Sequence, residues 1–346
     1  PYTVTTIGDR AFYNCTLLTN VEFESTPEEE KEQDLSLGAE LFSGCKVLKE
    51  IYIPARVTNL SLTYTTKDES VFSSCESLEK IFIDENNAQY SSTKEGIICN
   101  KSENEILYVP KSLTGSYAVD AKVKKIAKGA FAKCTLLTEV TIPFSVEEIG
   151  EQAFYGCSSL AKVNFISDED ADLVIKTKAF YNCALGELVI PENVHKIEKF
   201  AFGGNKNINS VEVYSSSVDF DAGIVASATS AGKVSSCYVE EVYIGEKVPT
   251  FDINSTFSGD KNNLVRINVS EKNPNFKVVD NVLYNTPMEI LIFYPKNKAG
   301  EFVVPDTVKT ISSGAFKYNT VLTKVTIGKN VTQINDSAFS NCTGLE

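Results

Sequence analysis

The chain has 346 residues, with 46 acidic against 33 basic side chains and a formal charge of −13, the reverse of the clustered Lys and Arg that a phosphate backbone demands. Its 42% apolar content is that of an ordinary folded protein, and no run approaches the roughly 20 apolar residues of a membrane helix. With one histidine, His195, and no C-x-x-C pair, the composition also argues against a metal centre and against Cys–His chemistry.

In chain order, the first element is Val4 to Gly8, which leads into Ala11-Phe12, Cys15 and Leu18 and then into the alternating Val21-Glu22-Phe23. The same order keeps returning. Its cleanest copy sets Val146, Ile149-Gly150, Ala153-Phe154, Cys157, Leu160, Val163 and Phe165 in one frame. The marker phenylalanines are Phe12, Phe42, Phe72, Phe131, Phe154, Phe180, Phe202, Phe257, Phe316 and Phe339, and the clean intervals (131 to 154, 180 to 202, 316 to 339) are 23, 22 and 23 residues. A period between roughly 20 and 50 residues is the mark of a repeat array. Copies this short cannot bury an apolar face alone, so they must stack and share one core.

Short strands follow each marker, as in Ile51-Tyr52-Ile53, Ile81-Phe82-Ile83, Val140-Thr141-Ile142 and Val242-Tyr243-Ile244. Alternation with period 2 buries one face of each, and Pro54, Pro143 and Pro191 stop the strand because proline has no N–H for a ladder. Side by side they make a parallel sheet with strands about 4.8 Å apart. Before each marker, V-x-x-I predicts a second extended stretch, such as Val194 to Ile197. The A-F-x-x-C segment predicts one helical or 3₁₀ turn. Its first slot holds Ala in seven of ten copies, with Leu41, Val71 and Thr256 as exceptions, so that the next coil can approach closely.

Two intervals, Phe72 to Phe131 and Phe257 to Phe316, are each 59 residues and match one another piece by piece. DENNAQY (84–90) answers SEKNPNF (270–276), GIICN (96–100) answers NVLYN (281–285), and an apolar strand ends at Pro110 or Pro295. Each is read as an enlarged coil carrying a hairpin, at about 84–126 and 270–311, within a single domain of residues 1–346; a break into two domains is the alternative. Shorter insertions at 24–32, 60–66 and 167–172 read as solvated loops. The carboxylates of Asp168, Glu169, Asp170 and Asp172 lack the glycine turn and distant glutamate of a calcium loop. The chain starts inside a return stretch and stops just after C-x-x-L, with no polar cap at either end, so it reads as a fragment of a longer protein.

Of nine cysteines, seven share one repeat position (Cys15, Cys45, Cys75, Cys134, Cys157, Cys183, Cys342), where Asn205, Asn319 and Asp260 stand in other copies. That interchange points to a small polar group contacting a turn's backbone. Stacked equivalents have parallel Cβ vectors, a poor match to disulfide geometry. Only Cys99 and Cys237 lie off the ladder.

The frame I-G-x-x-A-F-x-x-C-x-x-L-x-x-V-x-I-P, repeated over essentially the whole chain, resembles the BspA-like (treponemal-type) leucine-rich repeat. The resemblance implies a right-handed leucine-rich-repeat solenoid on bacterial surface or secreted proteins. Its long parallel sheet lines the concave face, and short strands and helical turns form the return path. It also implies non-enzymatic binding in an extracellular or cell-surface setting, with some members acting as adhesins for host matrix or plasma proteins.

The expected function is therefore recognition of a protein ligand through the outward residues of the long sheet, by a monomer with no catalytic residues, cofactor or metal. A spacer that presents another domain and a carbohydrate-binding surface protein are the alternatives. The candidate contact residues are Tyr52, Phe82, Glu139, Lys162, Glu212, Tyr243, Arg266 and Lys324. Tyr52, Phe82 and Tyr243 stand first, because aromatics anchor interfaces and a strand's wet face gives Phe82 no structural task. His195, between Val194 and Lys196 on a return strand, is read as an exposed surface histidine.

Overall fold

The computed structural model describes all residues except 28, 30–32, 63–69, 169, 218, 228–235 and 258–260. Asp260, Glu169 and the parts of the expected insertions at 28, 30–32 and 63–66 therefore lie outside the described residues. Contacts divide the chain into two units, Pro1–Ile166 with Ile175–Ala184, and Ser167–Val174 with Leu185–Glu346.

Each unit is a β-solenoid of stacked coils, most of which contribute a front strand and a return strand; the expected front strand at Val21-Glu22-Phe23 is irregular instead. In the first unit the front strands Glu50–Ile53 and Lys80–Ile83 pair in parallel, as do Gly115–Ala118, Leu137–Ile142 and Lys162–Phe165. In the second unit Leu188–Ile190, Ser210–Val213, Glu241–Ile244 and Arg266–Val269 form one parallel sheet, and Gly300–Val303 pairs with Leu322–Thr326. Along these strands the inward side chains, such as Ile51, Ile53, Val211, Val213, Val242 and Ile244, are buried, as period-2 alternation requires.

Within each unit, marker phenylalanines form the core. Phe42, Phe72, Phe131, Phe154, Phe180, Phe202, Phe257 and Phe316 are fully buried. Successive rings stack near the coil spacing: Phe131 and Phe154 at 4.5 Å, Phe154 and Phe180 at 4.8 Å, Phe316 and Phe339 at 4.6 Å, with interplanar angles of 19°, 7° and 19°. Phe12 departs from the buried pattern at 37% exposure, stacked on Phe42 at 5.6 Å.

The marker turns are not helical as expected; the α-helix among the described residues is the single turn Ile253–Thr256. Instead, residues two before and two after the marker adopt left-handed backbone, as at Gly129 (φ 66°) and Lys133 (60°), or Gln152 (58°) and Gly156 (71°). Alternation of hand points every second N–H at the next coil: Gly129, Phe131 and Lys133 donate to Glu151, Ala153 and Tyr155 at 3.1, 2.8 and 2.8 Å. For a non-glycine residue the left-handed state costs roughly 1–2 kcal/mol, which the inter-coil bonds offset. Sequence periodicity alone could not show this, because the preference lives in bonds between coils. Gly150 marks a close approach of two coils: a Cβ there would lie 2.7 Å from the backbone nitrogen of Lys128.

The cysteine ladder follows the backbone-contact reading. Cys45, Cys75, Cys157, Cys183 and Cys342 each donate S–H to the marker carbonyl of the preceding coil, Phe12, Phe42, Phe131, Phe154 and Phe316, at 3.0 to 3.3 Å. Asn319 serves the same slot through Nδ2, which donates to Pro295 O at 2.8 Å. A short donor aimed at a carbonyl is what the slot selects, so thiol and carboxamide interchange.

One marker position escaped the phenylalanine search. Phe202 N–H donates to Ile224 O at 2.9 Å, the bond that elsewhere runs to the residue just before a marker, so Val225 occupies the marker slot of an additional coil. Its return strand, Asp219–Phe220, pairs with Lys196 and Ile197. Similarly, Val109 and Tyr294 donate to Ala130 and Ala315 at 2.9 and 2.8 Å, which gives the two long intervals a marker slot each.

In those intervals, Tyr90–Ser92 pairs antiparallel with Ile98–Asn100, and Phe276–Val279 with Val282–Asn285. The third strands, Glu105–Tyr108 and Ile290–Phe293, run parallel to Lys125–Ile126 and Thr310–Ile311 and so belong to the return path. Buried asparagines pin both hairpins. Asn87 Nδ2 donates to Val57 O at 2.9 Å while its Oδ1 accepts from Gln89 and Tyr90; Asn273 donates to Gly245 O at 2.7 Å and accepts from Asn275 and Phe276.

Candidate functional site

The outward residues of the front strands do not form one uniform surface. Register places Tyr52 directly opposite Phe82 on adjacent strands of the first unit, where they are 50% and 39% exposed. Neighbouring strands lie about 4.8 Å apart, so the two rings present one apolar step to solvent. Beside it is a shallow concavity of about 290 Å³, walled by Asn20, Glu22, Phe23, Glu50, Tyr52 and Phe82. A second hollow of about 380 Å³ shares Phe23 and Tyr52 and extends to Thr26, Arg56 and Asp84.

Asp84 also belongs to this face, although no repeat position marks it. Its Oδ2 accepts a hydrogen bond from the Tyr52 hydroxyl, while its Oδ1 accepts from Asn86 N–H at 2.8 Å. These bonds, Tyr52 first, hold the Asp84 carboxyl below its usual range, and the same bond pushes the Tyr52 phenol up to about 12. Tyr52 therefore stays a neutral donor, fixed in orientation by Asp84. Arg56 closes the floor, 4% exposed, with its guanidinium donating to Val4 O at 2.7 Å and Pro1 O at 3.3 Å. Around the rings, Glu22, Glu24, Glu50 and Asp84 outnumber the basic groups.

The remaining candidates engage their neighbours. Glu139 and Lys162 are strand partners with Nζ 3.5 Å from the carboxylate, and Asn164 also donates to Glu139. Glu212 is opposite Tyr243 and accepts from the Tyr214 hydroxyl at 2.8 Å, while the rings of Tyr214 and Tyr243 lie 5.8 Å apart. Arg266 pairs with Glu241, and Lys324 lies 3.4 Å from Glu301. Such exposed pairs contribute little, about 0–1 kcal/mol each. Glu212, Tyr243 and Arg266 are thus brought near one another in the second unit, whereas Lys324 belongs to a separate pair of strands.

His195 is partly rather than fully exposed, with Nδ1 3.4 Å from Asp172. Among the described residues no group of three or more His, Cys, Asp or Glu side chains is placed to hold a metal ion. Among the described residues no helix is long and apolar enough to cross a membrane.

With this geometry in hand, the chain can be set beside known proteins. A family model described as "BspA type Leucine rich repeat region (6 copies)" matches residues 1–118, 107–171, 124–263, 173–298 and 286–346. No curated protein matches. Among solved structures, a leucine-rich repeat protein from Bacteroides ovatus is similar with 16% identity and a TM-score of 0.52, over 99% of this chain and 81% of that one. The pneumococcal vaccine antigen PcpA is 19% identical over 95% of this chain and 70% of its own, with a TM-score of 0.47. A leucine-rich repeat protein from Eubacterium ventriosum is 19% identical over 99% and 69%, with a TM-score of 0.45. At these identities the likeness concerns the fold.

Proposed function

From the premise that the chain belongs to the BspA-type leucine-rich repeat family, we propose that it is a non-enzymatic binding protein of the cell surface or extracellular space. Its ligand is a protein, held on the outward face of the front strands. The observation that carries this reading is the pairing of Tyr52 with Phe82, two half-exposed rings in direct register beside a concavity. Aromatic anchors ringed by polar groups are the usual energetic centre of an interface. The surrounding carboxylates favour a ligand segment that carries Lys or Arg, whose charge both the rings and the acids attract.

Whether the ligand is a host matrix or plasma protein is decided by pull-down from those sources with the chain immobilised. Replacing Tyr52 and Phe82 together by serine is expected to lower retention at least tenfold, and unchanged retention would remove this face from consideration. Glu139, Lys162, Glu212, Tyr243, Arg266 and Lys324 are expected to have smaller effects, because the charged ones are already engaged with neighbours. A carbohydrate ligand is the second reading, favoured by the closeness of the two rings, and a glycan array with the same variant separates the two.

A further inference from the structure

A different part of the first unit holds a cavity where its internal counterpart has a buried aromatic side chain. Between the hairpin at Tyr90–Ser92 and Ile98–Asn100 and the front strand Gly115–Ala118 is a pocket of about 410 Å³, floored by Cys99, Ile106, Tyr117 and Val123. Small-ligand pockets span about 300–1,000 Å³. The pairing of the two hairpins aligns Cys99, opposite Ser91, with Tyr284, opposite Lys277. Tyr284 is 2% exposed and belongs to a buried cluster against which Val279, Met288 and Phe302 pack. The corresponding residues of the first hairpin are Thr93, Glu103 and Tyr117. Small or polar side chains thus stand where the second coil has a filled core, on a backbone that follows the same bonds.

The chemistry of the walls narrows the occupant. Cys99 is 3% exposed, and neither its thiol nor the Tyr117 hydroxyl has a hydrogen-bond partner among the described residues. Burial keeps both groups protonated, with Cys99 pushed up to about 11. At the rim, Glu103 is 2.7 Å from Lys122 and Glu95 is 3.6 Å from Lys94. Asp120 is the third carboxylate, and its hydrogen bond is the one from the backbone N–H of Lys122 at 2.9 Å. Three acids against two bases leave one negative charge at the mouth of an apolar hollow.

We infer that this cavity binds a small amphipathic amine, with its ammonium on Asp120 and its apolar body against Tyr117, Ile106, Val123 and Cys99. The site is separate from the aromatic pair and does not depend on it. Phenethylamine is the probe, measured on the whole chain by calorimetry and saturation-transfer NMR, with phenethyl alcohol and 3-phenylpropionate as neutral and anionic controls. The amine is expected to bind at least tenfold more tightly than the acid. Cys99→Tyr, which imports the residue of the second coil, is expected to weaken amine binding at least tenfold. Should that variant fail to fold, Ala118→Phe at the exposed rim is expected to do the same, and Asp120→Asn to erase the preference over the alcohol. No binding of the amine by the unaltered chain, or equal affinity in the filled variants, would overturn the assignment.

Discussion

In the first hairpin-bearing coil Cys99 faces a cavity, whereas in the second Tyr284 fills the equivalent place and joins a packed cluster. Nearly everything that sets the backbone is common to both. A buried asparagine, Asn87 or Asn273, ties the hairpin to the coil before it. A second, half-buried asparagine, Asn100 or Asn285, accepts from two N–H groups four and five residues on, at 2.8 to 3.1 Å. The backbone scaffold is therefore set by polar side chains that satisfy main-chain groups, and the interior volume is set separately by the apolar residues. A repeat protein can vary the second without disturbing the first.

The comparison can be broken most sharply by moving its distinguishing residue. Tyr284→Cys should lose about 4 kcal/mol, the scale for emptying a large aromatic site, and should loosen amide protection around 276–308 in hydrogen exchange. A loss below about 1 kcal/mol would mean that Tyr284 does not create the packing difference. Next in size, Asn87→Ala and Asn273→Ala should each cost about 2–3 kcal/mol, because every buried carbonyl and N–H left without a partner is penalised. Markedly unequal losses would show that the two hairpins are not pinned alike.

Alkaline pH should separate the coils more gently. Burial pushes the Cys99 thiol from 9.0 to about 11 and the Tyr284 phenol from 10.0 to about 12. Below the lower value of each pair the group is protonated in folded and unfolded chains, and its stabilising contribution is intact. Above it the unfolded chain loses the proton first, so stability falls as pH rises toward the folded value. Exchange protection of the first hairpin should decline from about pH 9 and that of the second from about pH 10, and Cys99→Ala should remove the onset at pH 9 while leaving the second hairpin's decline in place. The smallest effect is expected at the rim, where Glu103→Gln should leave stability essentially unchanged, since the Lys122 pair is exposed. Thermal melts of the variant and the unaltered chain would check it.

Much of this was legible in the sequence because it is local and repeated. Marker phenylalanines, period-2 strands and proline stops led to stacked coils, and alternation alone placed Tyr52 and Phe82 outward. The interchange of Cys and Asn at one slot announced a backbone contact before any distance was known. The coil marked by Val225 was missed because valine fills a phenylalanine slot, although 55 residues between Phe202 and Phe257 is more than two periods. The alignment of GIICN with NVLYN already held the small-for-large exchange of Cys99 for Tyr284, but a string of residues gives no volume.

By itself, then, the sequence determined the repeat, the faces of its strands and the family to which the chain belongs, since these follow from spacing that each copy restates. Only the tertiary structure decided the left-handed alternation of the turns, the hydrogen bond that Tyr52 donates to Asp84 and the hollow beside Cys99. Each of these depends on which groups meet between coils. A left-handed residue is stable where an adjacent coil receives its N–H, and a cavity exists where no neighbouring side chain is long enough to close it.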